Sequence, residues 1–304
     1  MRCWKCISAW RMGRLLVALA LVLLASQARS GPRLDSNQAH PDPSRPQSAS
    51  GENHLRFVVY GDTRDGHAVH RRLVRLILAQ KPDLVLQTGD LVHDGSYKRL
   101  WRIYDDITGS MRRRIPVYPS RGNHDLGGPG YEARVPAPLS SGNRLYYAFD
   151  RANCHFISLD CFSPFTPGSP QYRWLTGDLA SAQKYARHIF VFFHCPPYSI
   201  GPHGSDTVVQ RVLCPLFIRY GVRAVFNGHD HLYYRTLRNG VLYVVSGGGG
   251  APLYPAFPSR GALKGDKWAS AHHIVVCDVS GNKVHVTALR ADGARLDSFT
   301  VSAP

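Results

Sequence analysis

The stretch RFVVYGDTRDGHAVHRRLVRLILAQKPDLVLQTGDLVHDG, residues 56–95, contains two short apolar runs on either side of one amphipathic segment. The apolar runs Arg56 to Tyr60 and Leu84 to Thr88 have the length and composition of buried strands. Between them, His67 to Gln80 has the periodicity of a helix, and Lys81-Pro82 ends it. The stretch therefore predicts a strand, a helix and a second strand, with a Gly-Asp pair directly after each strand.

Further apolar runs follow along the chain, and polar turns separate them in the way that is typical of strands. They are Val117 to Pro119, Tyr146 to Phe149, His155 to Leu159, His188 to Phe193, Ala224 to Asn227, Val241 to Ser246, His272 to Asp278 and Lys283 to Arg290. The last two flank Ser280-Gly281-Asn282, which predicts a hairpin turn. Mixed connections of this kind are typical of stacked sheets with helices outside. We therefore predict one α/β domain, residues 54–304, with two stacked mixed β-sheets flanked by helices.

Residues 1–30 have the pattern of a signal peptide. Basic residues precede an apolar run from Leu15 to Ala25, and the small residues Ala28 and Ser30 mark two possible cleavage points. The run is shorter than the roughly 20 apolar residues of a membrane span, so an uncleaved membrane anchor is the less favoured alternative. Residues 31–53 are rich in Pro, Ser, Asn and Gln, which predicts a flexible linker. We expect a secreted or periplasmic protein with no stable membrane span after processing.

The chain is strongly basic. Its formal net charge is +16, and removal of the five basic residues before Gly31 leaves +11. A basic surface attracts anions of every kind, from phosphorylated metabolites to nucleic acid. The sequence contains no recognised nucleic-acid-binding module. A phosphorylated small molecule or another phosphoester is therefore the favoured partner, and the oligomeric state is left open.

Five of the seven cysteines follow the predicted signal peptide. They are Cys154, Cys161, Cys195, Cys214 and Cys277. An odd number leaves at least one thiol free, and an oxidising compartment permits disulfides. Cys154 with Cys161 and Cys195 with Cys214 are possible pairs, but spacing alone does not decide connectivity. Because none has the CxxC spacing of a zinc or redox site, we expect structural roles for all five.

Potential metal ligands stand directly after five of the predicted strands. They are Asp62, Asp90, Asn123-His124-Asp125, His194 and His229-Asp230-His231. Strand ends are where α/β folds place their sites. Oxygen and imidazole donors without thiolates suit Zn, Mn, Fe or Co. The set is too large for one ion, so we predict two metal ions that share a carboxylate and a bridging hydroxide, which attacks phosphorus in line.

The ordered series GD, GDLVHDG, GNHD, a lone His after an apolar run, and GHDH resembles the calcineurin-like metallophosphoesterase family over residues 62–231. The resemblance implies an αββα sandwich and a phosphomonoesterase or phosphodiesterase. It also implies the following roles: Asp62 and His231 bind one metal, Asn123, His194 and His229 bind the other, Asp90 bridges the two, and His124 protonates the leaving oxygen. Asp125 follows His124 directly and is placed to orient its imidazole.

One position departs from the family pattern. The family usually has a histidine two residues after the first aspartate, where this chain has Arg64, and arginine does not ligate metals. In the purple acid phosphatase branch that histidine is also absent, and a tyrosine three residues after the bridging aspartate completes the site. His93 occupies that position here, so we predict it as the missing ligand. The alternatives are His67, His70 or a weaker first site, and Arg64 is then free to contact a phosphate oxygen of the substrate.

Several other residues near these clusters have two interpretations. Tyr198, His203, Tyr233 and Tyr254 either shape a substrate pocket or simply pack. The glycine-rich run from Ser246 to Pro252 either turns backbone amides toward the site or forms a turn. Gln171 to Leu175 resembles the QxxWL helix segment of the family, and we interpret it as structural.

Three functional classes remain to be separated. A phosphoester hydrolase explains every predicted ligand and the acid His124. A non-catalytic anion-binding module on a degenerate phosphoesterase fold is favoured only by the missing first histidine. A nucleic-acid-binding protein is favoured only by the basic charge and would show salt-sensitive binding without turnover.

Overall fold

The computed structural model describes residues 54–136, 139 and 143–302, and the predicted signal peptide and linker lie outside them. The strands are β1 (His54–Tyr60), β2 (Leu84–Gln87), β3 (Val117–Pro119), β4 (Tyr147–Arg151), β5 (Cys154–Ser158), β6 (His188–Phe192), β7 (Ala224–Asn227), β8 (Tyr233–Arg238), β9 (Val241–Ser246), β10 (Lys267–Ala269), β11 (His273–Ser280), β12 (Lys283–Arg290) and β13 (Arg295–Ser302). The α-helices are α1 (His67–Gln80), α2 (Lys98–Arg112), α3 (Pro170–Ala182), α4 (Thr207–Val212) and α5 (Cys214–Arg219).

The strands form two mixed sheets. The first has the order β13-β12-β11-β1-β2-β3, and the second has the order β10-β8-β9-β7-β6-β5-β4. In the first sheet β1, β2 and β3 are parallel, and in the second β5, β6, β7 and β9 are parallel. The remaining neighbours in both sheets are antiparallel. This confirms the predicted α/β fold with two mixed sheets.

Aromatic rings join the inner faces of the two sheets. The ring of Phe57, on β1, lies 5.0 to 5.9 Å from the rings of Phe156, Phe190 and Phe226 on three strands of the other sheet. All four side chains are fully buried. Edge-to-face contacts of this kind stabilise a core beyond the area they bury. The central strands are therefore fixed relative to one another, and with them the loops at their carboxyl ends.

Helices cover the outer faces, as predicted. Leu73 and Ile77 of α1 are buried with Ile107 and Met111 of α2 against the first sheet. α3 and α5 cover the second sheet in the same way. In the part of the chain that is described, no helix combines the length and apolar character that crossing a membrane requires.

The ten predicted strands are all present, within two residues at either end. Three strands were not predicted. β8 (YYRTLR) and β13 (RLDSFTVS) have exposed or half-buried polar residues, and β10 has only three residues. Because edge and near-edge strands bury fewer side chains, their hydrophobic pattern is too weak to identify them from sequence.

The disulfide joins Cys161 to Cys195, and neither suggested pair forms. Each cysteine stands three residues after the end of its strand, β5 or β6, and these two strands are parallel neighbours with Ser158 opposite Phe192. The sheet order therefore brings the two cysteines together, and chain spacing does not contain that order. Cys154, Cys214 and Cys277 are buried free thiols, in agreement with a structural role.

A buried histidine ties the β4–β5 hairpin to α3. His155 Nδ1 lies 2.7 Å from Asp150 Oδ1, and Nε2 lies 2.8 Å from Asp178 Oδ2. Its side chain is only 3% exposed. Burial lowers the pKa of His155, but the hydrogen bonds and charges of Asp150 and Asp178 outweigh burial and raise it to about 9. His155 is therefore held as an imidazolium between two carboxylates.

We expect His155→Gln to lower the free energy of unfolding by about 2 kcal/mol at pH 6. Because the folded pKa lies above that of the unfolded chain, this contribution is complete below about pH 6.5 and is lost as pH rises through about 9. Urea unfolding at pH 6 and pH 9.5 measures it. His285→Gln, at an exposed position on β12, is the control. If the free energies of unfolding of His155→Gln and the parent differ equally at both pH values, His155 is not held as an imidazolium.

Candidate metal centre

Loops at one edge of the sandwich bring together three acidic and imidazole side chains. Asp62 follows β1, Asp90 follows β2 and His231 follows β7. One donor atom from each lies within 4.8 Å of the other two, and all three residues are buried. We call this group the first position.

A second group of donors adjoins it and shares Asp90. His194 Nε2 lies 3.1 Å from Asn123 Oδ1, 3.2 Å from His229 Nδ1 and 3.5 Å from Asp90 Oδ1. We call Asp90, Asn123, His194 and His229 the second position. The structure thus brings these six residues together in two groups that meet at Asp90.

Backbone strain is concentrated in these loops. Asp62, Asp90 and His229 have φ angles of 58°, 53° and 73°, in the left-handed region that side chains other than glycine seldom adopt. Hydrogen bonds hold this conformation: the Asp62 amide donates to the Gly89 carbonyl at 2.9 Å, and the His229 amide donates to the Asp62 carboxylate at 3.1 Å. Strain of this kind persists where the surrounding structure fixes it, and it is common at functional sites.

The imidazoles of both positions direct lone pairs toward oxygen atoms. His194 Nδ1 donates to the Thr88 carbonyl at 2.8 Å, and His231 Nδ1 donates to the Pro252 carbonyl at 2.7 Å. In a neutral ring the other nitrogen then has no proton. The Nε2 lone pair of His194 lies 3.1 Å from Asn123 Oδ1 and 3.2 Å from His229 Nδ1, and that of His231 lies 3.5 Å from Asp62 Oδ1. The lone pairs of both rings thus point at other potential ligand atoms, an arrangement that suits a cation between them.

The charge states of these residues also favour a cation at the site. Burial lowers the pKa of His194, lowers that of His229 to about 2, and lowers that of His231 to about 4. The rings are therefore neutral, which is the form that ligates metals. Burial and then the charge of Asp90 raise the pKa of Asp62. Cations would relieve the repulsion between these carboxylates, so the residues present fit two metal ions.

His124 lies at the rim of the second position. Its Nδ1 donates to the His93 carbonyl at 2.6 Å, its Nε2 lies 3.9 Å from Asp90 Oδ2, and its side chain is 28% exposed. This places Nε2 between the metal positions and solvent. The prediction that Asp125 orients the imidazole is corrected here, because the backbone carbonyl of His93 makes the orienting contact.

Asp125 has a different role, inside the loops. Its Oδ1 accepts from the amides of Leu91 and Val92, at 2.8 and 3.2 Å, and its Oδ2 accepts from the Gly122 amide at 2.8 Å. It thereby joins the loop after β2 to the loop after β3. Asp125 fixes Asp90 relative to Asn123, and it acts on backbone rather than on an imidazole.

Arg64, predicted to contact a phosphate oxygen of the substrate, lies beside Asp90. Its Nε is 3.4 Å from Asp90 Oδ2, and its Nη1 is 2.6 Å from Asp65 Oδ2. The side chain is only 12% exposed, and Nε has no hydrogen-bond partner.

His93 does not join the first position. Its Nδ1 lies 2.9 Å from Asp65 Oδ1, and its side chain is 59% exposed. Of the alternative ligands, His70 is buried with Nε2 3.3 Å from the Tyr60 hydroxyl, and His67 is exposed at the start of α1. Neither belongs to the group of donors described above. A fourth protein ligand for the first position stays a prediction.

Two of the four aromatic residues that the sequence singled out cap the site. The ring of His203 stacks 4.2 Å from that of His229, and the ring of Tyr254 stacks 4.1 Å from that of His231. Sequence reasoning could not separate these two from Tyr198 and Tyr233, which lie elsewhere. Tyr198 packs 4.7 Å from Tyr243, and the Tyr233 hydroxyl donates to Asp297.

The glycine-rich run supports the site from behind. The Gly249 amide donates to the Gly61 carbonyl at 2.8 Å, and the Ala251 amide donates to the Asp62 carbonyl at 2.9 Å. These two amides are therefore not available to an anion, and they pack the run against the Asp62 loop. The bonded amides support the structural interpretation of the run.

Comparison with known proteins identifies the family. The model of the calcineurin-like phosphoesterase family matches residues 55–233. Purple acid phosphatase 21 of Arabidopsis thaliana is 28% identical over 64% of this chain and 50% of its own length. Tartrate-resistant acid phosphatase type 5 of Mus musculus is 30% identical over 64% of this chain and 72% of its own length. The chain spans about half the length of the plant relative.

Solved structures show the same fold. Purple acid phosphatase PPD1 from yellow lupin seeds superposes with a TM-score of 0.71 at 20% identity, covering 82% of this chain and 54% of that one. GAP50, described as the anchor in the inner membrane complex of Plasmodium, superposes with a TM-score of 0.68 at 18% identity, covering 83% and 89%. The fold is thus shared by proteins described as a phosphatase and as an anchor.

We expect Gly122→Ala to destabilise the chain by about 2 kcal/mol, because a methyl group there would overlap the backbone nitrogen and Oδ1 of Asp90. Chemical denaturation measures the change. The control is Gly177→Ala, on the exposed side of α3, where a methyl group meets open space. That variant should be stabilised by about 0.5 kcal/mol. Equal stability of Gly122→Ala and the parent chain would show that the loops are not packed as described.

Proposed function

Since this chain belongs to the calcineurin-like phosphoesterase family, we propose that it is an exported, metal-dependent phosphoester hydrolase, a phosphomonoesterase or a phosphodiesterase. One observation carries the proposal: neutral imidazole lone pairs and carboxylate or amide oxygens face one another in two adjoining groups. Such groups suit two cations rather than a purely structural network. Phosphorylated small molecules or other phosphoesters are the proposed substrates.

The metal ligands are proposed in two sets. Asp62 and His231 would hold one ion, Asn123, His194 and His229 would hold the other, and Asp90 would bridge them. The donor types suit Fe, Mn, Zn or Co. When bound, two such ions supply a water-derived nucleophile near neutral pH and offset charge on the phosphoryl oxygens.

His124 is proposed as the acid that protonates the leaving oxygen. Its Nδ1 proton is committed to the His93 carbonyl. The proton on Nε2 of the imidazolium form is then the one that can be transferred, and Nε2 is the nitrogen that faces the metal positions. Arg64 is proposed to contact a phosphoryl oxygen, because its Nε is buried beside Asp90 and has no hydrogen-bond partner.

A second candidate is a non-catalytic anion-binding module. It is supported by the arginine at position 64 and by the fold shared with a protein described as an anchor. Such a module requires an anion site but no acid for a leaving group. The position of His124 therefore favours the enzyme, and turnover decides between the two.

Export is proposed from the pattern of residues 1–30 and from the disulfide. A basic start, an apolar run and small residues suit a signal peptide. The Cys161–Cys195 bond suits an oxidising compartment. A secreted or periplasmic location accounts for both.

We expect the chain from Gly31 onward to hydrolyse para-nitrophenyl phosphate or bis-para-nitrophenyl phosphate when Mn, Zn, Fe or Co is supplied. Asp90→Asn should lower kcat/KM at least about 100-fold, because the shared ligand loses its charge. Asp106→Asn, at an exposed position on α2, should leave it unchanged. A folded chain that shows no turnover with any of the four metals would exclude the hydrolase and favour the anion-binding module.

We expect His124→Gln to lower kcat by about 100-fold or more on esters of poorly acidic alcohols, because protonation of the leaving oxygen limits their hydrolysis. The loss should be much smaller on para-nitrophenyl esters, whose leaving group departs without a proton. Steady-state kinetics on one alkyl and one para-nitrophenyl ester provide the comparison. An equal loss on both would assign His124 a role other than leaving-group acid.

A further inference from the structure

Arg64 is the feature of this site that the metal ligands do not explain. We propose that its guanidinium supplies, at the first position, part of the positive charge that a metal otherwise brings. The two positions then bind metal unequally: the second position holds its ion tightly and the first exchanges it readily. This inference rests on the proposed function, because it concerns the metals of the same site.

The donor sets already differ. The second position has four side-chain donors, one each from Asp90, Asn123, His194 and His229. The first position has three, from Asp62, Asp90 and His231. With one protein ligand fewer, the first position leaves one more coordination place to solvent. It would therefore bind a metal ion more weakly than the second position even without Arg64.

The charge of Arg64 adds to this difference. Its Nε lies 3.4 Å from Asp90 Oδ2, the carboxylate that both ions would share. The guanidinium therefore already offsets part of the negative charge that would attract a cation, and it repels a second cation placed nearby.

Asp65 holds Arg64 in place and His93 away. One of its carboxylate oxygens contacts Arg64 Nη1 at 2.6 Å, and the other contacts His93 Nδ1 at 2.9 Å. Asp65 also has a left-handed φ of 69°. Asp65 therefore holds the guanidinium of Arg64 in its mostly buried place. It also holds the imidazole of His93, which could complete the first position, at the exposed rim of the site.

The test is a count of metal ions per chain, which does not depend on turnover. Parent protein and variants are incubated with excess Mn²⁺, passed through a desalting column, and analysed by inductively coupled plasma mass spectrometry. We expect the parent chain to retain about one ion, since only the second position binds tightly. Arg64→His, which removes the charge and offers a ligand, should retain about two. Arg71→His, on the exposed side of α1, should behave like the parent.

Titration of the metal-free proteins with Mn²⁺ by calorimetry gives the second measure. The parent should show two classes of site, with dissociation constants that differ by at least about tenfold. Arg64→Met removes only the charge, so it should bring the two constants closer without making them equal. Circular dichroism confirms that each variant is folded, and Arg64→Met keeps the test valid if Arg64→His does not fold.

Three outcomes would overturn the inference. The first is a parent chain that retains two ions; if His93→Ala then retains one, His93 is the missing ligand. The second is a folded Arg64→His chain that retains no more than the parent, together with an unchanged titration of Arg64→Met. The third is a parent chain that retains none. A chain that retains one ion but hydrolyses no ester would support the inference while contradicting the proposed hydrolase.

Discussion

Two hydrogen bonds to backbone carbonyls determine which imidazole nitrogens of this site are free to bind a cation. His194 and His231 each donate from Nδ1, one to Thr88 and the other to Pro252. Each neutral ring is thereby fixed in one tautomer, and the lone pair on its Nε2 points at the other potential ligand atoms. A cation among these atoms would satisfy the buried lone pairs. The remainder of the structure holds the site in this conformation.

The two-sheet sandwich supplies the rigidity that holds the site in this conformation. Parallel strands of both sheets end at the same edge, and the aromatic core around Phe57 fixes the two sheets relative to each other. Asp125 then joins two of the loops through backbone amides, and the turn at Gly249 and Ala251 supports a third. Left-handed backbone at Asp62, Asp90 and His229 is tolerated only because these contacts surround it.

Much of this could be predicted from sequence because the signals are local. Strand ends followed by Gly-Asp or Gly-His predict that Asp62, Asp90 and His231 lie at one edge of the sheets. Contacts that depend on which strands are neighbours could not be predicted. The Cys161–Cys195 pair follows from β5 lying beside β6, and the carbonyl of His93 orients His124 only because the loops after β2 and β3 meet. Asp125 was misassigned for the same reason, since adjacency in sequence to His124 does not imply contact.

The Cys161–Cys195 disulfide makes the candidate metal site sensitive to the redox conditions around the protein. Cys195 directly follows His194 in the chain, and its partner Cys161 belongs to the loop of the neighbouring strand. The covalent bond therefore restrains the backbone that carries one imidazole of the second position. Thiol reductants would remove that restraint without touching any donor atom. The geometry of this candidate site is thus expected to follow the redox poise of the compartment in which the chain folds.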